Sequence, residues 1–120
     1  MNKKTLVIGA SLKTERYSNR AIRELVTNKI TVFALGLKPG SVGEVSIEIK
    51  KIDYKNIHTV TLYLNPKRQC EFYDYIISLN PKRVIFNPGT ENFEFYKILT
   101  ARKIFFEEAC TLVLLSTNQY

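Results

Sequence analysis

The chain has 120 residues, 45% of them hydrophobic and 24% charged, with a formal net charge of +7. That is the length of one domain, read as residues 1–120, and it can bury enough surface to fold without a disulfide or metal staple. Two cysteines, Cys70 and Cys110, and one histidine, His58, are too few for a four-ligand zinc site, so no metal is expected. No apolar run approaches the roughly 18 residues of a membrane span, and the start MNKKTLVIGAS is too short in apolar residues for a signal segment. Free thiols then fit a reducing cytoplasm.

Residues 5–10 (TLVIGA) form an apolar run that ends on glycine, the pattern of a strand buried on both faces. Residues 18–29 place Ala21, Ile22, Leu25 and Val26 on one helical face, with Ser18 as the expected N-cap. A second apolar run, ITVFALGL, covers 30–37. KPGSVGE is turn-like, and VSIEIKKI alternates Val45, Ile47 and Ile49 with polar neighbours, which predicts a short edge strand with its polar face outward. HTVTLYL, 58–64, is the third buried strand. Asn65 then caps a helix that has Pro66 at its first position. Tyr73, Ile76, Ile77 and Asn80 continue the helical spacing, with Cys70 expected on the same apolar face. RVIFN, 83–87, is the fourth strand, PGTEN a turn and cap, FEFYKILTARK a helix, and IFF at 104–106 the start of a fifth strand. The last apolar segment, CTLVLLS, fits helix or strand equally.

This alternation predicts an α/β fold, a three-layer Rossmann-like doubly wound sheet of about five mainly parallel strands in the order 3-2-1-4-5, with helices on both faces. The first and fourth strands then flank the topological switch point, where ligands bind beyond the carboxyl ends of the strands. The clusters expected on that edge are Gly9-Ala10-Ser11, Gly36-Leu37-Lys38, Tyr63-Leu64-Asn65, Asn87-Pro88-Gly89-Thr90 and Glu107-Glu108. Gly9 permits a tight exit from the first strand, main-chain N–H groups after it can face an anion, and Lys13 and Arg16 add charge.

The G-x-G-x-x-G fingerprint of a dinucleotide loop is missing, since only Gly9 is present. The second strand ends in Leu37-Lys38, where an NAD site carries an acid for the ribose hydroxyl. A lysine there favours a phosphorylated ribose, as in NADP or coenzyme A; the alternative is a solvated turn lysine. No catalytic residue is expected. His58 falls at the amino end of its strand, away from the crevice, and no Ser-His-Asp or Cys-His set can be assembled. Cys110 reads first as a core cysteine. Glu107 and Glu108, adjacent on a strand, point to opposite faces. Asn87 and Gly89 read as a polar floor beneath a ligand, or as a turn and cap.

The stretch VIGAS-LK-TERYSNR, with Gly9-Ala10-Ser11, Lys13, Glu15-Arg16, Ser18 and Arg20, resembles the small stand-alone bacterial CoA-binding proteins. These share their domain with the α-subunit of succinyl-CoA synthetase. TLYLNPKRQ, IFNPGTENFE and EEACTLVLLSTNQY resemble a branch of the same family, so the likeness covers residues 4–120. The resemblance implies that CoA or acyl-CoA lies at the carboxyl edge. Gly9–Ser11 and the Arg16-Tyr17-Ser18 turn hold phosphates, Gly36–Lys38 sit beside the adenosine part, and Tyr63, Leu64 and Asn65 lie along the nucleotide or pantetheine arm. Many relatives end the second strand in an Asn-Pro-Lys-like turn, whereas this chain has Gly36-Leu37-Lys38-Pro39. The ligase partner domains and any counterpart of the phosphorylated histidine are absent, so the resemblance implies binding without the ligase reaction. Two other readings remain: an NADP-linked or other nucleotide-dependent enzyme component using Glu108 or Cys110, and a basic module for nucleic acid or a protein partner. The spread of the basic residues along the chain makes nucleic acid the weaker of these.

Overall fold

The computed structural model describes residues 2–120. Strand β1 (Thr5–Ala10) lies at the centre of a seven-stranded sheet and is buried almost throughout. The pleat sends Leu6 and Ile8 to one face and Val7 to the other, and a register shift between Ile8 and Ala10 turns Ala10 onto the face of Val7, so one short run feeds both cores. Around it stand β2 (Val32–Gly36), the hairpin β3 (Gly40–Val42) and β4 (Val45–Glu48), then β5 (Thr59–Leu62), β6 (Arg83–Phe86) and β7 (Phe106–Glu108). The sheet order is β3-β4-β2-β1-β5-β6-β7, and every pairing is parallel except that of β3 with β4.

Helix α1 (Tyr17–Thr27) joins β1 to β2 and packs Ile22 and Leu25 on one face of the sheet, together with Leu115 of α5 (Thr111–Ser116). On the opposite face lie Ile76 and Leu79 of α3 (Tyr73–Leu79) and Phe95 and Leu99 of α4 (Phe93–Ala101). The short α2 (Pro66–Gln69) and a 3₁₀ turn, Cys70–Phe72, lead into α3. Asn65 and Asn92 cap α2 and α4 by accepting hydrogen bonds from the N–H groups of Arg68 (3.0 Å) and Phe95 (3.1 Å). No helix among the described residues is long and apolar enough to cross a membrane.

The Rossmann-like class is as expected, but the strand order differs. The strand at 59–62 does not lie outside β2; it pairs directly with β1, and the switch point lies between these two. The position beyond β2 belongs to the hairpin. Because β3 runs antiparallel, it returns the chain so that β4 can pair parallel to β2 without a crossover helix. Residues 49–58 then cross back as an extended strap over the sheet, with Tyr54 stacked on Phe33 (ring centroids 4.5 Å apart) and Ile57 buried.

Smaller expectations are also corrected. Ser18 does not cap α1: the cap position is Arg16, and Ser18 is a buried residue of the first turn. Val26 is exposed. Cys70 is exposed too, because the 3₁₀ turn breaks the helical phase that would have placed it inward. The last apolar segment is helix.

Candidate functional site

A cleft of about 940 Å³ opens across the carboxyl ends of β2, β1, β5 and the loop after β6. This is within the size range of small-molecule sites, roughly 300–1,000 Å³. Two glycines set its floor. Gly9 has φ +94°, and a Cβ there would lie 3.0 Å from the Tyr63 backbone carbonyl carbon. At Gly36 a Cβ would lie 2.4 Å from the Ala10 carbonyl oxygen, so the ends of β1 and β2 can approach only without a side chain.

The loop after β1 is held from behind. Asn19 Nδ2 donates to the Ser11 carbonyl (2.9 Å) and Ser11 Oγ accepts from the Lys13 N–H (3.1 Å). Arg23 Nε donates to Asn19 Oδ1 (2.9 Å), and its Nη2 to the Thr14 carbonyl (2.8 Å). Asn19 and Arg23 thus fix the loop, while Lys13 and Arg16 line the cleft. The start of α1 has no side-chain cap and no acid in its first turn, so its N–H groups and the helix dipole remain available to an anion.

Five basic side chains, Lys13, Arg16, Lys38, Lys51 and Arg68, line the cleft against one acid, Glu71. The ion pairs among the described residues, Lys55–Asp53 and Arg83–Glu107, involve none of the five. Leu12, Leu37 and Ile49 add exposed apolar side chains at the β2–β4 end. The other end is made by Tyr63, Leu64, Pro88, Gly89, Thr90 and Cys110. Burial pushes the Tyr63 phenol up to about 12, against the opposing effect of the Thr111 and Thr61 hydroxyls. It is therefore a neutral hydroxyl at physiological pH.

Of the residues expected from the sequence to hold the ligand, Gly9, Ala10, Ser11, Lys13, Arg16, Tyr17, Ser18, Gly36, Leu37, Lys38, Tyr63, Leu64, Asn65 and Gly89 line this cleft and Asn87 does not. Asn87 is buried, and its amide is committed elsewhere: Nδ2 donates to Thr61 Oγ1 (2.7 Å) and the Leu62 carbonyl (2.9 Å), and Oδ1 accepts from the Thr111 N–H (2.9 Å). It ties α5 to the sheet beneath the cleft. Glu107 and Glu108 do not reach the cleft either. Glu107 pairs with Arg83 (3.4 Å), and Glu108 accepts from the Tyr96 hydroxyl (2.7 Å). His58 sits at the opposite edge, where its backbone N–H donates to the Lys4 carbonyl (2.8 Å). Among the described residues no group of His, Cys, Asp or Glu is placed to hold a metal ion.

Sequence reasoning missed Ile49, Lys51, Arg68, Phe72 and Leu112. Arg68 was accessible to it, because it lies in the helix that Asn65 and Pro66 announce at the end of a strand. It also missed a buried network joining two walls. Gln69 Nε2 donates to the carbonyls of Leu64 (2.8 Å) and Thr90 (2.7 Å), and its Oε1 accepts from Asn92 Nδ2 (2.9 Å). Asn92 Nδ2 also donates to the Tyr73 hydroxyl (2.7 Å).

A parallel sheet with its cleft at the switch point, a free helix N-terminus and a ring of cations define a Rossmann-like α/β protein equipped to hold an anionic ligand. The model of the CoA binding domain matches residues 3–116, and the chain belongs to that family. A crystal structure of an uncharacterised protein is similar over 100% of this chain and 99% of its own, at 42% identity and a TM-score of 0.97. A hypothetical protein from Pyrococcus horikoshii OT3 shares the fold at 24% identity and a TM-score of 0.87, over 97% of this chain and 83% of its own. A protein from Thermus thermophilus does so at 17% identity and a TM-score of 0.85, over 98% of this chain and 91% of its own. No curated protein sequence matches the chain.

Proposed function

We propose that the chain binds coenzyme A or an acyl-CoA as a carrier or sensing module, without chemistry of its own. The observation that carries this reading is the set of five cations lining one cleft, none of them in an ion pair among the described residues, together with the uncapped N-terminus of α1 beside the β1 loop. CoA presents a diphosphate and a ribose 3′-phosphate, and charge-assisted hydrogen bonds to such oxygens are the strong ones. The loop Gly9–Ser11 with Lys13, and the turn Arg16–Ser18, hold the diphosphate. Gly36, Leu37 and Lys38 face the adenosine end, where a lysine replaces the acid that would select an unphosphorylated ribose. Tyr63, Leu64, Asn65 and Gly89 line the path of the pantetheine arm, and Asn87 supports that end from below.

The Tyr63 phenol, neutral at physiological pH, offers a ligand a hydrogen bond and not a base, which supports a binding role. Isothermal calorimetry with CoA, 3′-dephospho-CoA and NADP tests the reading. CoA binds most tightly, and removing its 3′-phosphate weakens it. Absence of CoA binding by the purified chain overturns the proposal, and tighter binding of NADP replaces it with a dinucleotide site. Lys38→Glu lowers CoA affinity by about tenfold or more, the scale of one lost charge-assisted contact; unchanged affinity makes Lys38 a turn residue only.

A further inference from the structure

The strap that follows β4 carries a cation into the cleft at the mouth of its hairpin end. Lys51 Nζ donates to the Glu71 carbonyl (2.6 Å) and lies 5.0 Å from the centre of the Phe72 ring. Lys51, Glu71 and Phe72 all line the cleft, so this contact joins the strap to the 3₁₀ turn across the opening. The strap backbone is anchored independently of that lysine. The Tyr75 hydroxyl donates to the Ile52 carbonyl (2.6 Å), and Tyr54 stacks on Phe33. The side chain can therefore swing while its backbone stays.

We infer that Lys51 is a phosphate-responsive clasp: its ammonium exchanges the Glu71 carbonyl for the ribose phosphate of a bound 3′-phosphorylated nucleotide. The inference rests on the CoA reading above and adds to the 3′-phosphate subsite of Lys38 a residue from outside the β1 loop and the β2 end. The contact is weak, since a solvent-exposed lysine held by one neutral carbonyl and an aromatic face gains little over water and loses rotamer freedom. A phosphate dianion offers the same ammonium a full opposite charge and several acceptor oxygens, so the exchange favours the ligand. Lys38 lines the same cleft and is the second cation for that phosphate. The apolar side chains beside them, Leu12, Leu37 and Ile49, offer an adenine ring a surface next to the phosphate.

The test is a calorimetric comparison of CoA with 3′-dephospho-CoA on the wild type, Lys51→Met and Lys51→Arg. Lys55→Met, whose lysine pairs with Asp53 outside the cleft, is the surface control. Lys51→Met lowers CoA affinity by about tenfold and leaves 3′-dephospho-CoA within about twofold, while Lys51→Arg restores most of the difference. Equal losses for both ligands make the strap a structural closure and overturn the inference, and so does a Lys51→Met protein that binds CoA as the wild type does. If the wild type binds no CoA, the CoA reading falls and takes the clasp with it. CoA binding with a flat Lys51 series removes the clasp alone.

Discussion

At the two edges of one sheet, the same kind of side chain meets opposite fates. On the amino edge Arg83 is buried and held on three sides: Nε donates to Thr59 Oγ1 (3.1 Å), Nη1 to Glu107 (3.4 Å), and the guanidinium stacks 4.4 Å from the Tyr120 ring centre. Its Nη2 alone is buried without a partner. Tyr120 is held in turn by Thr5 Oγ1 (2.6 Å) and by Lys3, whose Nζ donates to its carbonyl. On the carboxyl edge, five cations line an open cleft with no ion-pair partner among the described residues. A basic residue that the fold consumes contributes to stability; one that the fold leaves free contributes to recognition. The net charge of +7 does not distinguish the two.

The contrast breaks most visibly at Arg83. Arg83→Ala strands Glu107, removes the support beneath Tyr120 and costs about 3 kcal/mol in chemical denaturation. The CoA affinity of the folded fraction stays within about twofold, since the cleft lies at the other edge. A large loss of affinity at constant stability would show that the edges are coupled. Arg16→Glu is the mirror experiment. It lowers CoA affinity by about tenfold or more in calorimetry and changes unfolding free energy by no more than about 0.5 kcal/mol, as expected for an unpartnered surface cation. The smallest effect is in pH. Burial, with Arg83, Lys3 and Lys82 nearby, holds the His58 imidazole below its ordinary value of 6.5. The unfolded chain therefore binds this proton first, so stability falls as pH drops below about 6.5 and on through the folded-state value. His58→Asn flattens that limb of a stability–pH curve, with CoA affinity at pH 7.5 unchanged.

Much of the carboxyl edge was legible because it depends on local signals. Apolar runs ending at Gly9 and Gly36, and caps at Asn65 and Asn92, mark where strands stop and helices begin, and the cleft lies at those boundaries. What was not legible depends on pairing between distant segments. The β3–β4 hairpin and a helix crossover satisfy the same apolar pattern, so the strand order and the arrival of Ile49 and Lys51 in the cleft could not be read from spacing. Asn19 and Gln69 are polar residues within helices with no local signal of a role, and only the fold brings them beneath the loops that they hold. Asn87 was read as a floor for the ligand or as part of a turn and cap, and the fold commits its amide to Thr61, Leu62 and Thr111 beneath the cleft.

The buried Gln69–Asn92 network has a thermodynamic consequence. It joins the loop after β5 to the loop after β6 through buried bonds that Gln69 makes to the backbone carbonyls of two cleft-lining residues, Leu64 and Thr90, and to Asn92. Those walls are already in place before anything enters, so association does not have to fold them. The heat-capacity change on binding should then scale with the surface dried inside a preformed cleft, and fall well short of the signature of coupled folding. The entropic cost of ordering falls mainly on the ligand's own rotatable arm, which makes ligand stiffness a more effective lever on affinity than further rigidifying the protein.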